Sequence, residues 1–488
     1  MSLIRFKIAF PSIIYMDNRG QYLLVELISH FRTRGSKVDL LCIYSLWPII
    51  GMASRRFSKP MHFQNMQRAC ELSLASPKQP NAKISLRSYL RLKFRTCQSF
   101  KSYWGKLLFP IPSPRLESII RAVYEKNKAC VLIADYYEEY PECHVRIDEF
   151  KTPPFFVSSR RALCFVDSVK KMFEEYDLTL TDEECLFLKQ NHLQIQIDYR
   201  STVSILERLR PSAIVVHADN HPPHQSYVLA AQELNIPAIM MQHGLDCEAY
   251  TLDEAYADHL MLWGEDRMKR YREKSINQDF QVTIIGSPEH EQVEVRVDEK
   301  IDRNEWLWVT RPHSSDKCYT VNRWPDEGCR ILCAIVEVLK SHPDASLVIK
   351  PHPYEKTGQY DEVIQELPVS VRSRISISHN AIESAVSAAG IVFTEDSSAG
   401  LDAMLQSKLL INVHFCDDLP AVPYAEKGAA LYAGDAAELK AAIDCVMCYT
   451  EHDVQMMANA QHKLIKSLIG EQDGLAVFRA IKLLSDYL

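Results

Sequence analysis

Two stretches decide the fold: Ser346-Leu-Val-Ile-Lys350-Pro351-His352-Pro353 and, further on, Ile391-Val-Phe-Thr394-Glu395-Asp396-Ser397-Ser398-Ala399-Gly400. Each is a short β-branched run, then a polar cluster, then helical sequence. In an open parallel sheet, ligands bind at the carboxyl ends of the strands. Two polar clusters at two strand ends, one closing in hydroxyls at a helix start, suit a phosphate-bearing ligand.

The pattern continues on both sides. A strand at Glu305 to Thr310 ends in Arg311-Pro-His313, and helix Asp326 to Leu339 follows. Beyond Lys350 come strand Ile375 to Ser378, helix Ala381 to Ala388, helix Ser398 to Leu405 and strand Leu409 to Val413. Helical sequence from Ala436 to Tyr487 closes the chain. Upstream, strands at Ser212 to Val216, Pro237 to Met241, His259 to Trp263 and Gln281 to Ile285 end in polar clusters. The first of these is His217-Ala-Asp219-Asn220-His221-Pro-Pro-His224, with a helix Tyr227 to Leu234 after it. The second is Gln242-His243-Gly244. Repeated β–α–β units predict parallel sheets covered by helices. A charged stretch, Glu289 to Asn304, reads as the linker between two sets of units.

The expected fold is therefore α/β: two Rossmann-like, doubly wound domains with a cleft between them, itself a natural ligand site. The first domain spans 1–295, with a helical and basic insertion at about 45–210. The second spans 305–450, and 451–488 is a helical closing segment. The N-terminus reads as strand 4–10, helix Gln21 to Arg34 and strand Lys37 to Tyr44. No G-x-G-x-x-G follows the first strand, which argues against a dinucleotide-binding start. Residues 114–210 read as mostly helical, broken at Pro153-Pro154.

With 488 residues, two domains are the default. Hydrophobic residues at 47% and charged residues at 24% are those of a globular protein. A net charge of -7 argues against nucleic-acid binding. The fourteen cysteines form no framework, which fits a reducing compartment. Cys445-Val-Met-Cys448 lacks the second pair a zinc site needs and is read as buried thiols. No apolar run reaches membrane-spanning length and no signal peptide is recognised, so the expected location is cytoplasmic. Residues 72–116 contain no acid and nine basic residues, interleaved with Tyr89, Phe94, Phe100, Tyr103, Trp104 and Phe109. Two readings stand: a solvated insertion with its aromatics in the core, or a patch that docks on anionic lipid at the inner membrane or holds an anionic polymer.

The chemistry-bearing residues cluster at strand ends. His352, between Pro351 and Pro353, is held by two residues that fix the backbone; it can donate a hydrogen bond to a phosphate oxygen, with Lys350 and Arg311 as nearby positive charges. Ser397 is the expected N-cap, its hydroxyl making an anion site with the amides of Ser398 and Ala399. Glu395 and Asp396 could take a ribose hydroxyl or hold His352. In the first domain, a neutral His243 could take a proton from an attacking hydroxyl, with Gly244 allowing a tight turn or close approach. Asp246 and Glu248 could orient it or act instead, and Asp219 with His217 is a second candidate pair. The histidines of 217–224 lack a regular ligand spacing, so no metal site is assigned.

Lys350-Pro-His352-Pro and Thr394-Glu-Asp-Ser397-Ser398 resemble the K-x-H-P and D-x-S-S signatures of bacterial cell-surface polymer transferases. These are the CDP-glycerol glycerophosphotransferases, polysialyltransferases and capsule-type Kdo transferases. The resemblance covers roughly residues 210 to 420. It implies the GT-B fold, CMP- or CDP-activated donors, no cofactor, and contact of His352, Ser397 and Ser398 with the donor phosphate. A His-Gly serves as base in the glycerophosphotransferases, which carries that role to His243; the other two branches place an acid before the glycine. The implied activity is inverting, metal-independent transfer of a sugar or polyol-phosphate to a capsule, lipopolysaccharide or other glycan or lipid-linked acceptor. Two alternatives stand beside it. A non-hydrolysing UDP-N-acetyl-sugar 2-epimerase shares the fold, but its Asp-Ser is followed by Gly-Gly where Ser398-Ala399 stands here. A non-catalytic GT-B scaffold is the other.

Overall fold

The computed structural model describes residues 18–43, 46, 49–50, 105–111, 116–134, 140, 143–147, 157–220, 223–245, 254–291, 301–311, 327–353, 355, 358–395, 397–415, 420 and 422–488. Two helices come first, α1 (Asn18–Arg34) and α2 (Lys37–Cys42). The first sheet takes β1 (Leu107–Phe109), β2 (Val131–Ala134), β3 (His144–Val145), β4 (Ala213–Val216), β5 (Ala238–Met241), β6 (His259–Leu262) and β7 (Gln281–Ile284). Between these strands run α3 (Glu117–Lys126), α4 (Ser159–Glu175), α5 (Asp182–Leu209), α6 (His224–Glu233) and α7 (Glu265–Lys274). The second sheet takes β8 (Glu305–Val309), β9 (Ser346–Lys350), β10 (Ile375–Ile377), β11 (Ile391–Thr394), β12 (Leu409–Val413) and β13 (Leu431–Ala433). Its longer helices are α8 (Glu327–Leu339), α9 (Ile382–Ala388), α10 (Ala399–Leu405) and α11 (Ala436–Met447), and α12 (Glu451–Ile469) and α13 (Ala476–Ser485) end the chain.

Every strand pair is parallel. The orders are β3-β2-β1-β4-β5-β6-β7 and β10-β9-β8-β11-β12-β13. The second is the Rossmann order, with a reversal between its first and fourth strands, and the first sheet reverses likewise between β1 and β4. Strands such as Leu409–Val413 are buried along their whole length, because helices cover both faces. On the first sheet, one face packs Leu27, Leu41, Phe165, Leu206 and Val228 from α1, α2, α4, α5 and α6. The other packs Ile120 of α3 with Ala480 and Leu484 of α13, so the end of the chain returns to the first unit.

The crossing is made by α12, which contacts α10 in the second unit and α7 in the first. Trp263, just past β6, is buried with Leu307, Leu464 and Leu468. The carboxyl end of the first sheet is thus turned toward the second unit.

Three expectations need correction. The strand expected at Lys37 to Tyr44 is helix α2. Ser36 caps it: its hydroxyl accepts from the Asp39 amide, and the Asp39 carboxylate accepts from the Ser36 amide. The Lys-Val-Asp-Leu alternation imitates a strand because Asp39 sits at the capping position while Val38, Leu40, Leu41 and Cys42 are buried. Within 114–210, β2 and β3 interrupt the helices, and β1 lies in the basic segment; runs this short do not declare their type by period. Cys445 and Cys448 are exposed rather than buried. Strand 4–10 and nearly all of 72–116 lie outside the described residues.

Candidate functional site

Register brings three strand ends of the second sheet level. Val309 of β8 pairs with Lys350 of β9 on one side and with Thr394 of β11 on the other. The order reverses between β8 and β11, so the crevice of a doubly wound sheet opens here. With strands ~4.8 Å apart, the ends of β9 and β11 stand about 10 Å from each other.

His352 is half-buried in the turn leaving β9, and Pro353 is exposed. Its amide donates to Thr310 Oγ1 (2.9 Å) and to Glu355 Oε2 (3.0 Å). Its carbonyl accepts from the Glu355 amide at 2.9 Å. The Glu355 carboxylate also accepts from the Thr310 hydroxyl and from Tyr360 OH, the latter at 2.6 Å. Tyr360 is buried with its ring centroid 5.2 Å from that of Trp308. Burial, then the adjoining Glu355 carboxylate, raise the Tyr360 phenol and keep it a neutral donor.

At the end of β11, Ser398 takes the N-cap position without a side-chain cap bond, one residue later than expected. The Ser397 hydroxyl accepts from the Ala399 amide at 3.3 Å. Ser398 is exposed. The Ser397 carbonyl accepts from Tyr424 OH at 2.8 Å, and the buried Tyr424 ring occupies the space where a Cβ on Gly400 would lie, 2.5 Å from it.

Other expected members of the cluster stand elsewhere. Lys350 Nζ donates to the Asn380 carbonyl (2.6 Å), toward β10 and away from the reversal. Glu395 is fully buried and accepts from Trp308 Nε1–H at 3.1 Å, out of reach of a ribose. Arg311 follows β8, half-buried. Asp396 lies outside the described residues.

In the first unit, His243 follows β5. Its Nδ1 bonds the His217 carbonyl, and since a carbonyl only accepts, Nδ1 carries the proton. The His217 ring meets the His243 ring edge-on at 5.1 Å and the His224 ring at 4.2 Å. Gln242 brackets the turn: Oε1 accepts from the Trp263 amide and Nε2 donates to the Gly244 carbonyl, each at 2.9 Å. Gln242 and Leu245, on either side of His243 and Gly244, line a crevice whose other residues include Arg267, Arg270, Val422, Pro423 and Leu468. His243 therefore sits beside a seam between the units. Gly244 lies in this turn with open space around it among the described residues and without a left-handed backbone.

Asp219, in the loop after β4, is buried. It is 1% exposed, and one oxygen accepts from the Tyr256 and Ala257 amides, both at 2.9 Å. Burial pushes its carboxyl up, while those amides and the charges of Arg267 and Arg32 oppose the shift. It pins the segment entering β6. Asp246, Glu248 and His221 lie outside the described residues. Thr310, Trp308, Glu355, Tyr360 and Tyr424 were not foreseen. A polar residue after a strand could have flagged Thr310, but Tyr424 gives no local signal.

Two Rossmann-like units tied by a C-terminal helical return define an α/β protein of the GT-B type. The chain matches no protein-family model and no curated protein. Among solved structures it is similar to a Methanocaldococcus jannaschii UDP-GlcNAc 2-epimerase in complex with UDP-GlcNAc and UDP, at 14% identity and TM-score 0.46, over 78% of this chain and 99% of that one. It is similar to S. aureus MnaA in a co-structure with UDP, at 13% identity and TM-score 0.49, over 78% and 96%. It is also similar to a variant of the wall teichoic acid polymerase TagF soaked with CDPG, at 10% identity and TM-score 0.42, over 88% and 98%. Among the described residues, no helix is long and apolar enough to cross a membrane.

Proposed function

We propose that this protein is an inverting, metal-independent glycosyltransferase that moves a sugar or polyol-phosphate from a CMP- or CDP-activated donor to a surface glycan or lipid-linked acceptor. The observation that carries the reading is the level alignment of Lys350 and Thr394 at the reversal of the second sheet, the strand ends from which the turns bearing His352 and Ser397–Ser398 leave. There, His352 and the serine hydroxyls stabilise the leaving nucleotide phosphate as charge builds on it, where electrostatic help accelerates reaction. His243, with Nδ1 protonated, presents Nε2 as the acceptor of the proton from the attacking hydroxyl. Asp219, buried on backbone amides, positions its loop. In this reading 1–295 holds the acceptor, 305–450 the donor, and 451–488 ties them. The basic segment 72–116 is the candidate contact with anionic membrane or polymer.

The test is a thermal-shift and transfer screen with CMP-, CDP- and UDP-linked donors. The expected outcome is a raised melting temperature with a cytidine nucleotide, and donor turnover that needs an acceptor. No nucleotide binding and no turnover would sink the reading. Conversion of a UDP-N-acetyl sugar with no acceptor would instead identify a 2-epimerase.

A further inference from the structure

We infer that Glu355 is a positioning residue that aims His352 at the donor phosphate, acting with Thr310 and Tyr360; this rests on the donor-site reading above. A carboxylate beside a phosphate site is unfavourable unless its charge is engaged. Here both oxygens are occupied by internal donors: Oε1 by Tyr360 OH, and Oε2 by the Thr310 hydroxyl and the His352 amide. The Glu355 amide returns a bond to the His352 carbonyl, so residue 355 closes the His-Pro turn at both ends. Thr310 accepts from the same His352 amide and ties that turn to β8. Beneath it, Tyr360 packs on Trp308, whose indole N–H bonds Glu395 at the end of β11. The network thus runs under both halves of the donor site. Pro351 and Pro353 lack amide hydrogens, so His352 offers the turn's first amide donor, and Glu355 and Thr310 take it.

The experiment compares nucleotide affinity and donor KM for Glu355→Ala, Glu355→Gln, Thr310→Val and His352→Ala in the full chain. Glu355→Ala is expected to weaken nucleotide binding about tenfold or more. Glu355→Gln should recover most of the loss, because its carbonyl can still accept the Thr310 and His352 protons while its amide donates to the Tyr360 oxygen. Thr310→Val should fall between, and it keeps the test alive where Glu355→Ala does not fold. A double mutant with His352→Ala is decisive: if Glu355 acts through His352, Glu355→Ala adds no further loss of affinity in that background. Loss of the same factor in both backgrounds overturns the inference. So does wild-type affinity in Glu355→Ala while the unaltered protein binds nucleotide. An unaltered protein that binds no nucleotide overturns the donor-site reading and this inference with it.

Discussion

His243 shows how one hydrogen bond narrows a chemical role. With Nδ1–H donated to the His217 carbonyl, only Nε2 has a lone pair to accept a proton. The ring is further held edge-on to His217. On the proposed function, His243→Ala should therefore reduce transfer by about 10²–10⁴-fold while leaving nucleotide affinity unchanged, because that proposal puts the donor phosphate on the other unit. Steady-state transfer and thermal-shift titration of the same variant check this. A variant that transfers at wild-type rate, or that loses nucleotide affinity in step with rate, is incompatible with a base at 243. The places of His243, His352 and Ser397 were legible because each lies in a polar cluster within four residues of the end of an apolar run. The partners that hold them were not, because Glu355, Thr310 and Tyr424 act through contacts between segments that no local pattern records.

At the scale of elements, α2 is where pattern and physics diverge. Asp39, within the stretch expected as a strand, is instead the capping-box residue of a helix and the partner of a buried histidine. His192 is fully buried on α5, and Gln196 Nε2 donates to its Nδ1 at 3.0 Å. The imidazole proton on Nε2 is then donated to Asp39 Oδ1 at 2.7 Å. Burial alone would raise the Asp39 carboxyl; the bonds from His192 and from the Ser36 amide and hydroxyl outweigh it and bring the carboxyl below its ordinary range. A lowered folded value means the contribution to stability is complete above the unfolded value near 3.9 and is lost as pH falls through the folded one. Asp39→Ala is expected to lower unfolding free energy by about 2 kcal/mol at pH 7, with the gap to wild type closing below about pH 4. Urea melts at both pH values measure it, and an equal gap at pH 7 and pH 3 would contradict the carboxylate's role. In the second sheet β8, β9, β11 and β12 were legible as apolar runs of four or five residues, whereas the three-residue β13 was not foreseen. In the first sheet, β1 to β3 are too short to declare a period, and their pairing is fixed by strands and helices distant in sequence.

For the whole molecule, the two units meet through α12. α12 lies against both, and its approach to α7 is close: a Cβ on Gly264 would lie 2.2 Å from the Ser467 carbonyl oxygen. Gly264 has extended backbone open to any residue, so the demand for glycine comes from this contact alone. The neighbouring Trp263 amide bonds Gln242, which brackets His243. Gly264→Ala must therefore part α7 from α12 and pull on the turn that carries the proposed base. The expected result is a loss of about 1–3 kcal/mol in stability from overpacking, together with a fall in transfer rate larger than the change in nucleotide affinity. Gly244→Ala is the contrast: with open space around it among the described residues, its stability should stay within about 0.5 kcal/mol of wild type. Denaturant melts and transfer kinetics of the two variants side by side decide the matter. If Gly264→Ala is as stable and as active as wild type, the seam between α7 and α12 does not govern the geometry at His243, and the two units reach their working arrangement by some other contact.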